Sequence, residues 1–263
     1  MRLETKNTSF SYGNNLILDD LSLDIQSGEI VSLIGANGCG KSTLLKNMSK
    51  ALKPDSGGIY VDSRQLNSYS RKELARKMSV LPQSNSSPDD VTVFDLVCYG
   101  RFPYQRFLQG MNKRDYNIVE SALQHTGLVK YRNRSVSSLS GGERQRAWIA
   151  LSLAQEPSIM LLDEPTTYLD VCHQFEVIDL IHSMNRRLSI TIVMVLHDIN
   201  LASRCSDRII AMKDNNIITA FFYDGPIKRF VDESFIKCIK FIINDINDSA
   251  NQNSLLWLYD AFL

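Results

Sequence analysis

The chain has 263 residues, 44% of them hydrophobic, which is enough apolar material to bury the core of one α/β domain with an inserted subdomain. Its 29 lysine and arginine residues balance 29 aspartate and glutamate residues, and this zero net charge argues against a strongly basic nucleic-acid-binding protein. The five cysteines have neither a zinc-ligand spacing nor a disulfide pattern, which is typical of a reducing compartment.

The predicted elements alternate between strands and helices. Residues 16–25 alternate between apolar and polar, as a half-buried strand does. Residues 29–34 form a short apolar strand that leads into a glycine-rich loop, and residues 41–52 have the pattern of a helix that starts at this loop. Two later apolar runs, residues 159–162 and 190–196, end in acidic or histidine residues. This alternation predicts a parallel sheet with functional residues at the carboxyl ends of its strands.

A different pattern separates the two halves of the predicted sheet. Residues 91–99 and 113–126 have helical spacing, which predicts an inserted, mainly helical subdomain at about residues 84–140. After residue 214 the pattern weakens, and residues 244–253 are expected to form a surface loop. The apolar residues 255–259 either dock on their own domain or form a surface for a partner.

Neither a signal peptide nor a membrane span is predicted. Residues 1–15 lack the charged-then-apolar order of a signal peptide. The longest apolar run, residues 190–196, is far shorter than the roughly 18 residues that a membrane-spanning helix needs. If the protein works at a membrane, we expect another polypeptide to supply the spanning segments.

Residues 35–42 match the phosphate-binding pattern G-x-x-x-x-G-K-[ST]. Its glycines allow the backbone to turn and to direct several N–H groups at phosphate oxygens. The helix N-terminus adds its dipole, Lys41 is expected to reach the β- and γ-phosphates, and the Ser42 hydroxyl to ligate Mg²⁺. Because Cys39 lies in this electropositive loop, we expect a lowered pKa for its thiol.

Two acidic residues and a histidine follow the predicted strands. Asp163 is expected to hold Mg²⁺, and Glu164 to polarise the water that attacks the γ-phosphate. An Asp-Glu pair by itself is weak evidence, since the ends of strands often carry solvated carboxylates. A lone histidine after a buried strand, such as His197, is likewise more often a structural residue.

A second motif narrows the class of nucleotide-binding protein. The string Leu139-Ser140-Gly141-Gly142-Glu143-Arg144-Gln145-Arg146 occurs in the same chain as the glycine-rich loop. With this string the chain resembles the ABC (ATP-binding cassette) ATPases over most of its length. The resemblance implies a P-loop NTPase cassette with a RecA-like parallel-sheet core, N-terminal antiparallel β strands and an inserted helical subdomain.

The resemblance also implies roles for individual residues. His197 would contact the γ-phosphate, Gln83 would reach Mg²⁺ and the water once nucleotide is present, and Tyr12 would stack on adenine. The expected catalytic residues are Glu164, His197, Gln83 and Lys41, and the expected Mg²⁺ ligands are Ser42, Gln83 and Asp163. The expected nucleotide-binding residues are Tyr12, Gly35, Ala36, Asn37, Gly38, Cys39, Gly40, Lys41, Ser42 and Thr43.

In ABC ATPases the string at residues 139–146 is called the signature, and it completes the ATP site of a second subunit. The resemblance therefore implies a head-to-tail homodimer that encloses two ATP molecules. The signature residues expected to act in trans are Leu139, Ser140, Gly141, Gly142, Glu143 and Gln145. Ser140 is a good N-cap for a helix that Ser140, Gly141 and Gly142 open and whose body is residues 143–155. Asp170, in the string Thr167-Tyr168-Leu169-Asp170, matches the D-loop and is expected at the dimer seam.

Further strings resemble the importer ATPases for ferric siderophores, haem and cobalamin, of which the ferric-siderophore members are most similar. These strings are Leu81-Pro82-Gln83, residues 99–105, residues 166–174 and residues 192–200. Such subunits work in pairs on the cytoplasmic face of the plasma membrane, beneath integral membrane permeases that receive substrate from a binding protein. The region from Gln83 to Tyr104 is where a permease would dock.

The chain departs from the residues that are usual in the family at two positions of these motifs. Ala36 stands where proline is common, and Glu143 where glutamine is commonest.

The ATPase domain is expected over residues 1–228, followed by a divergent segment at 229–263. The alternatives are a haem or cobalamin importer ATPase, an ABC ATPase outside transport, and a nucleotide-binding module without catalysis. An ABC ATPase outside transport is disfavoured because the sequence shows neither long coiled coils nor a second cassette. A nucleotide-binding module without catalysis is disfavoured because Glu164 and His197 are present.

Overall fold

The computed structural model describes residues 1–85, 90–105 and 110–222, in which two β-sheets carry the helices. The strands are β1 (Leu3–Tyr12), β2 (Asn15–Ile25), β3 (Ile30–Gly35), β4 (Ser56–Val61), β5 (Arg64–Gln65), β6 (Met78–Leu81), β7 (Ile159–Asp163), β8 (Thr191–Val195), β9 (Arg208–Lys213) and β10 (Asn216–Phe222). The α-helices are α1 (Lys41–Met48), α2 (Arg71–Ala75), α3 (Val93–Cys98), α4 (Lys113–His125), α5 (Gly141–Ala154), α6 (Val171–Leu188) and α7 (Ile199–Cys205). Short 3₁₀ helices cover Leu66–Ser68, Tyr99–Tyr104, Val129–Tyr131 and Val136–Ser138. Within these ranges, no helix combines the length and the apolar character needed to cross a bilayer.

The larger sheet has six strands in the order β10-β9-β3-β8-β7-β6, and all neighbours in it are parallel except the pair β10 and β9. The smaller sheet, in the order β2-β1-β4-β5, is antiparallel and comes from the N-terminal part of the chain. This arrangement confirms the predicted parallel core and N-terminal antiparallel strands. Because parallel strands end at one edge of a sheet, the segments that follow β3, β6, β7 and β8 come together there.

The larger sheet is covered on both faces, which is why its strands are apolar throughout. Along β7, Met160 and Leu162 belong to a cluster with α3 to α6, whereas Ile159 and Leu161 belong to a cluster with α1 and the smaller sheet. All four side chains are fully buried, and burial of an aliphatic side chain of this size contributes about 1.5–3 kcal/mol. A shift of one residue would exchange the two faces, so this packing determines the register of the sheet.

The segment between β6 and β7 is mainly helical, as predicted, and its helices α3, α4 and α5 contact one another. The helix expected over residues 91–99 is shorter: it ends at Cys98 and continues as the 3₁₀ helix Tyr99–Tyr104, which contains Pro103. A proline has no backbone N–H to donate, so a regular α-helix does not continue through it. The domain boundaries at residues 84–140 and 1–228 stay predictions, and residues 229–263 lie outside the described part of the chain.

The helix expected over residues 41–52 ends at Met48, so its predicted end was wrong. Lys50 adopts a positive φ of 64°, a left-handed conformation that cannot continue a right-handed helix. The Lys50 ammonium donates hydrogen bonds to the carbonyl oxygens of Asn67 and Tyr69, at 3.1 and 2.6 Å, which hold the residue in this turn. Tertiary contacts therefore end α1 four residues before the sequence pattern does.

Candidate nucleotide site

The loop between β3 and α1 needs glycine at two positions. Gly35 has a φ of 145°, and a Cβ at this residue would lie 2.1 Å from the carbonyl oxygen of Met212. Gly40 has a φ of 99°, and a Cβ there would lie 2.8 Å from the carbonyl oxygen of Ile17. The loop therefore turns tightly and leaves residues 36–38 exposed at its tip, where backbone groups can approach a ligand.

Lys41 begins α1 and points back into the loop. Its ammonium donates hydrogen bonds to the carbonyl oxygens of Gly35 and Ala36, both at 2.8 Å, and only 5% of the residue is exposed. The loop thus holds a positive charge at the N-terminus of a helix, where an anion is also attracted by the helix dipole. Thr43, in the first turn of the helix, is buried.

Ser42 and Asp163 join the loop to the end of β7. The Ser42 hydroxyl donates a hydrogen bond of 2.8 Å to Oδ1 of Asp163, which is 7% exposed. Burial raises the pKa of Asp163, the hydrogen bond from Ser42 lowers it, and the neighbouring charge of Glu164 raises it further. Hydroxyl and carboxylate oxygens side by side are the ligands that Mg²⁺ prefers.

Three polar side chains meet because three neighbouring strands end beside one another. Gln83 follows β6, Glu164 follows β7 and His197 follows β8, and these strands are adjacent in the sheet. Oε2 of Glu164 accepts a hydrogen bond of 2.6 Å from the Gln83 amide, and its Oε1 lies 2.6 Å from Nε2 of His197. The structure therefore brings together these three predicted residues, and the Gln83 amide contacts Glu164 directly.

Glu164 has an unusual backbone conformation and a further partner. Its φ of 52° lies in the left-handed region, which costs free energy in a non-glycine residue and directs the side chain into the cluster. The Thr167 hydroxyl donates a hydrogen bond of 2.9 Å to Oε2 of Glu164. Sequence reasoning assigned no role to Thr167, although its position three residues after Glu164, in a turn with Pro165, is a signal that could have identified it.

Cys39 does not have the reactive thiol that its position predicted. The residue is 7% exposed, and burial raises the pKa of its thiol, an effect larger than the opposing influence of the Lys41 charge. Its Sγ lies 3.9 Å from Nζ of Lys41. The expectation of a lowered pKa was wrong because the thiol points into the protein rather than towards the exposed tip of the loop.

Tyr12 is the last residue of β1, an inner strand of the smaller sheet. Its side chain is 49% exposed and packs edge to face against Phe10, with ring centroids 4.9 Å apart. About half of the Tyr12 surface is thereby open to contact with a planar ligand.

The signature residues begin α5, and Ser140 is its N-cap as predicted. The Ser140 hydroxyl accepts a hydrogen bond from the Glu143 N–H, and the Glu143 carboxylate accepts one from the Ser140 N–H. A hydrogen bond with Tyr131 is the largest cause that lowers the pKa of Glu143 to about 2, followed by the Ser140 backbone. A glutamate at this position thus completes a capping box that stabilises the start of the helix. Leu139 is buried and Gln145 is half-buried.

Asp170 is the N-cap of α6, and its Oδ1 accepts a hydrogen bond of 2.9 Å from the His173 N–H. Its side chain is 67% exposed, and the neighbouring Tyr168 is 93% exposed. The segment that contains Asp170 packs against the signature, since a Cβ on Gly141 would lie 3.4 Å from Leu169. The predicted site residues therefore form two groups, one around the loop and Glu164 and the other at the starts of α5 and α6.

Comparisons with known proteins agree on one family. A family model described as "ABC transporter" matches residues 18–167. The petrobactin import ATP-binding protein FpuD of Bacillus anthracis is 48% identical over 235 residues, which cover 89% of this chain and 85% of that protein. The ferric enterobactin transport ATP-binding protein FepC of Escherichia coli is 42% identical over 238 residues, which cover 90% and 86%.

Solved structures with this architecture include an inward-facing putative metal-chelate type ABC transporter, with a TM-score of 0.77, 27% identity and coverage of 92% of this chain and 88% of that one. The dimeric structure of a bacterial ABC transporter cassette has a TM-score of 0.72 and 30% identity, and it covers 85% of this chain and 100% of that one.

Proposed function

The chain belongs to the ABC transporter family, it is an ATPase coupled to transport, and from this premise we propose that it drives the import of ferric siderophores into a bacterial cell. The observation that carries the catalytic part of the proposal is the convergence of Gln83, Glu164 and His197 beside the pair Ser42 and Asp163. The iron chelate as cargo rests on the relatives, which are named for petrobactin import and ferric enterobactin transport.

ATP is the nucleotide of this family, and the loop supplies the groups that its phosphates need. In the proposal, residues 35–43 surround the phosphates with backbone N–H groups, and the Lys41 ammonium contacts the β- and γ-phosphates. The cost of moving this ammonium is small, since it exchanges hydrogen bonds with Gly35 and Ala36 for hydrogen bonds with charged oxygens. Adenine stacks on the exposed ring of Tyr12.

The oxygen donors near the loop fit Mg²⁺, which we propose is held by Ser42, Gln83 and Asp163. The raised pKa of Asp163 reflects the cost of a buried carboxylate, a cost that a bound divalent cation offsets. When bound, the ion would neutralise charge on the β- and γ-phosphates.

Hydrolysis needs a water in line with the γ-phosphate and a group that polarises it. We assign this second role to Glu164, whose carboxylate is fixed by contacts with Gln83, Thr167 and His197. The imidazole of His197 is 44% exposed, so it can contact the γ-phosphate while it holds Glu164 in place. Because phosphoryl transfer depends on positioning and on charge rather than on covalent chemistry, these contacts account for the catalytic contribution of the chain.

A second copy of the chain completes the site in this proposal. The N-terminus of α5, with the signature residues from Leu139 to Gln145, and the exposed Asp170 would face the nucleotide bound by the partner. Two facts support a homodimer: cassettes of this family form dimers in solved structures, and the second group of site residues presents exposed polar groups at helix N-termini. Closure then depends on the γ-phosphate, and hydrolysis reopens the dimer.

Integral membrane permeases are the proposed partners on the helical segment. Tyr99 and Phe102 expose 40% and 56% of their surface, and their ring centroids are 5.0 Å apart. This aromatic pair lies in the region from Gln83 to Tyr104 and suits an apolar segment of a permease. The chain would then lie peripherally on the cytoplasmic face of the plasma membrane and depend on a substrate-binding protein indirectly. We propose the ATPase domain at residues 1–228, with its helical subdomain at about 84–140.

The catalytic proposal is tested with Glu164→Gln. The variant keeps the shape of the side chain and removes the negative charge, so ATP turnover should fall by about 10²–10⁴. In the presence of ATP, light scattering should show a stable dimer of the variant. Glu120→Gln is the matched control, because Glu120 lies on α4 and pairs with Arg132. Turnover of Glu164→Gln close to that of wild type would refute the assigned role.

The cargo is tested in cells. A strain that lacks this chain should fail to grow when a ferric siderophore is the only source of iron, and the intact gene should restore growth. Normal growth of the deletion strain on siderophores, with a defect limited to haem or cobalamin, would assign the chain to one of those importers instead.

A further inference from the structure

His173 lies in the first turn of α6, and its imidazole packs directly on Gly142 of the signature. A Cβ added to Gly142 would lie 2.7 Å from Cγ and 2.8 Å from Cδ2 of this ring. Gly142 is buried, whereas the His173 side chain is 33% exposed, so a Cβ at residue 142 could fit only if the ring left its position on the glycine. The histidine therefore requires that residue 142 has no side chain.

The same stretch of chain contacts the signature a second time. A Cβ on Gly141 would lie 3.4 Å from Cδ2 of Leu169, four residues before His173. Asp170 lies between these two contacts, and its side chain accepts a hydrogen bond from the backbone N–H of His173. Two residues that flank Asp170 thus pack against the two glycines that begin α5, which sets the distance from Asp170 to the signature.

Charged groups surround the imidazole from both helices. Nε2 lies 3.9 Å from Oδ2 of Asp170, and Nδ1 lies 3.3 Å from Oε2 of Glu176. The same Glu176 oxygen accepts a hydrogen bond of 2.6 Å from Arg146 on α5. The Glu176 side chain is 53% exposed and the Arg146 side chain 18%, so this ion pair lies at the surface between the two helices. The contact of the ring with Gly142 therefore connects the two helix starts together with the Leu169 contact and the Arg146–Glu176 pair.

We propose that His173 is a positioning residue that holds the signature and residues 167–170 of one subunit as a single unit, so that both engage the partner's nucleotide together. The inference rests on the proposed function, because it concerns the closed dimer. Without the ring, α5 and α6 can separate at their N-termini, and closure must then order them. The Lys41 ammonium of the same subunit is held by Gly35 and Ala36, so nucleotide binding at the loop does not depend on this contact.

The test uses the Glu164→Gln variant as the parent, so that hydrolysis does not reopen the dimer. His173→Ala in this background should raise the ATP concentration for half-maximal dimerisation by about tenfold, a value within the usual range of coupling between contacting residues. Binding of a fluorescent ATP analogue, measured at protein concentrations too low for dimers, should stay unchanged. His182→Ala is the matched control, because it removes the same side chain from the same helix nine residues further along.

Two more variants separate the packing of the ring from its charge. His173→Phe keeps a flat ring on Gly142, so its dimerisation should stay within about threefold of the parent. Gly142→Ala should impair dimerisation strongly, and addition of His173→Ala should restore part of it, because the new methyl group then occupies vacated space. Circular dichroism verifies that each variant is folded.

The results of these variants distinguish a failure of the role assigned to His173 from a failure of the proposed function. Dimerisation of His173→Ala at the ATP concentration of the parent would overturn the inference and leave the proposed function intact. The inference would also be overturned if the double variant dimerised no better than Gly142→Ala alone. The glycine would then be needed only for the partner's nucleotide. A Glu164→Gln parent that forms no dimer with ATP would refute the proposed function itself, and the inference with it.

Discussion

Arg101 is the most informative residue for a test of stability, because its charge is buried. The residue is 2% exposed, its Nε donates a hydrogen bond of 2.9 Å to Asp115, and its Nη1 donates to the carbonyl of Ala154 at 2.7 Å and to Glu156 at 3.0 Å. The guanidinium also lies 4.0 Å from the ring centroid of Tyr104. One side chain thus joins the 3₁₀ helix Tyr99–Tyr104 to α4 and to the end of α5.

Substitution Arg101→Met keeps much of the buried volume and removes the charge. The carboxylate of Asp115, whose side chain is 7% exposed, then stays in the interior without its cation. Removal of one partner of a buried ion pair costs about 3–5 kcal/mol. For a chain of this size, 1 kcal/mol lowers Tm by about 2–4 °C, so we expect a decrease of about 6–20 °C. Urea unfolding and calorimetry measure these two values.

The control is Arg204→Met, which removes an arginine from a solvent-exposed pair with Asp179. Their side chains are 51% and 59% exposed and 3.2 Å apart, so this substitution should cost at most about 1 kcal/mol. Addition of Asp115→Asn to Arg101→Met should recover part of the lost stability, because the unpaired charge disappears. An Arg101→Met variant as stable as Arg204→Met would refute the argument from burial.

Three further predictions concern the nucleotide site and the signature. Iodoacetamide at pH 8 should label the exposed Cys172 well before Cys39, because burial shields the Cys39 thiol and raises its pKa; peptide mass spectrometry that found Cys39 first would contradict this. The pKa of Glu143 is lowered to about 2, so its stabilising contribution should be complete above its ordinary pKa of 4.5 and disappear as the pH falls towards 2. Glu143→Gln should therefore be less stable than wild type at pH 7 by about 1 kcal/mol or less, with a smaller difference at pH 3 in urea unfolding. Tyr12→Ala should weaken binding of a fluorescent ATP analogue by about 1–3 kcal/mol, the usual value of aromatic stacking on a base, whereas equal weakening by Tyr12→Phe would show that the hydroxyl and not the ring is needed.

Much of the site could be predicted because its motifs are local. The glycines of the loop, the capping pair Ser140 and Glu143, and the residues after β7 and β8 each depend on a few neighbours along the chain. Apolar runs of five residues or so predicted the buried parallel strands, since a strand covered on both faces has no polar side to expose. The parallel core and the helical insertion, which the hydrophobic patterns predicted, and the antiparallel N-terminal strands, which the resemblance implied, were confirmed.

The failures share a cause, which is that distant parts of the chain decide the environment of a side chain. Cys39 is close to a lysine in sequence and in space, yet burial determines its pKa. Lys50 ends α1 because its ammonium is bound by carbonyl groups 17 and 19 residues away. Arg101 lies in residues 99–105, which resemble the importer ATPases. Nothing in that string indicates that the guanidinium is buried against Asp115.

The amino-acid sequence by itself determined the family, the parallel strands around the nucleotide loop and the chemical groups available there, because those features depend on local spacing. Only the tertiary structure decided which groups touch: that Thr167 supports Glu164, and that His173 packs against Gly142. These contacts depend on the separation of strands and helix starts to within an ångström, and that separation results from the packing of the whole core.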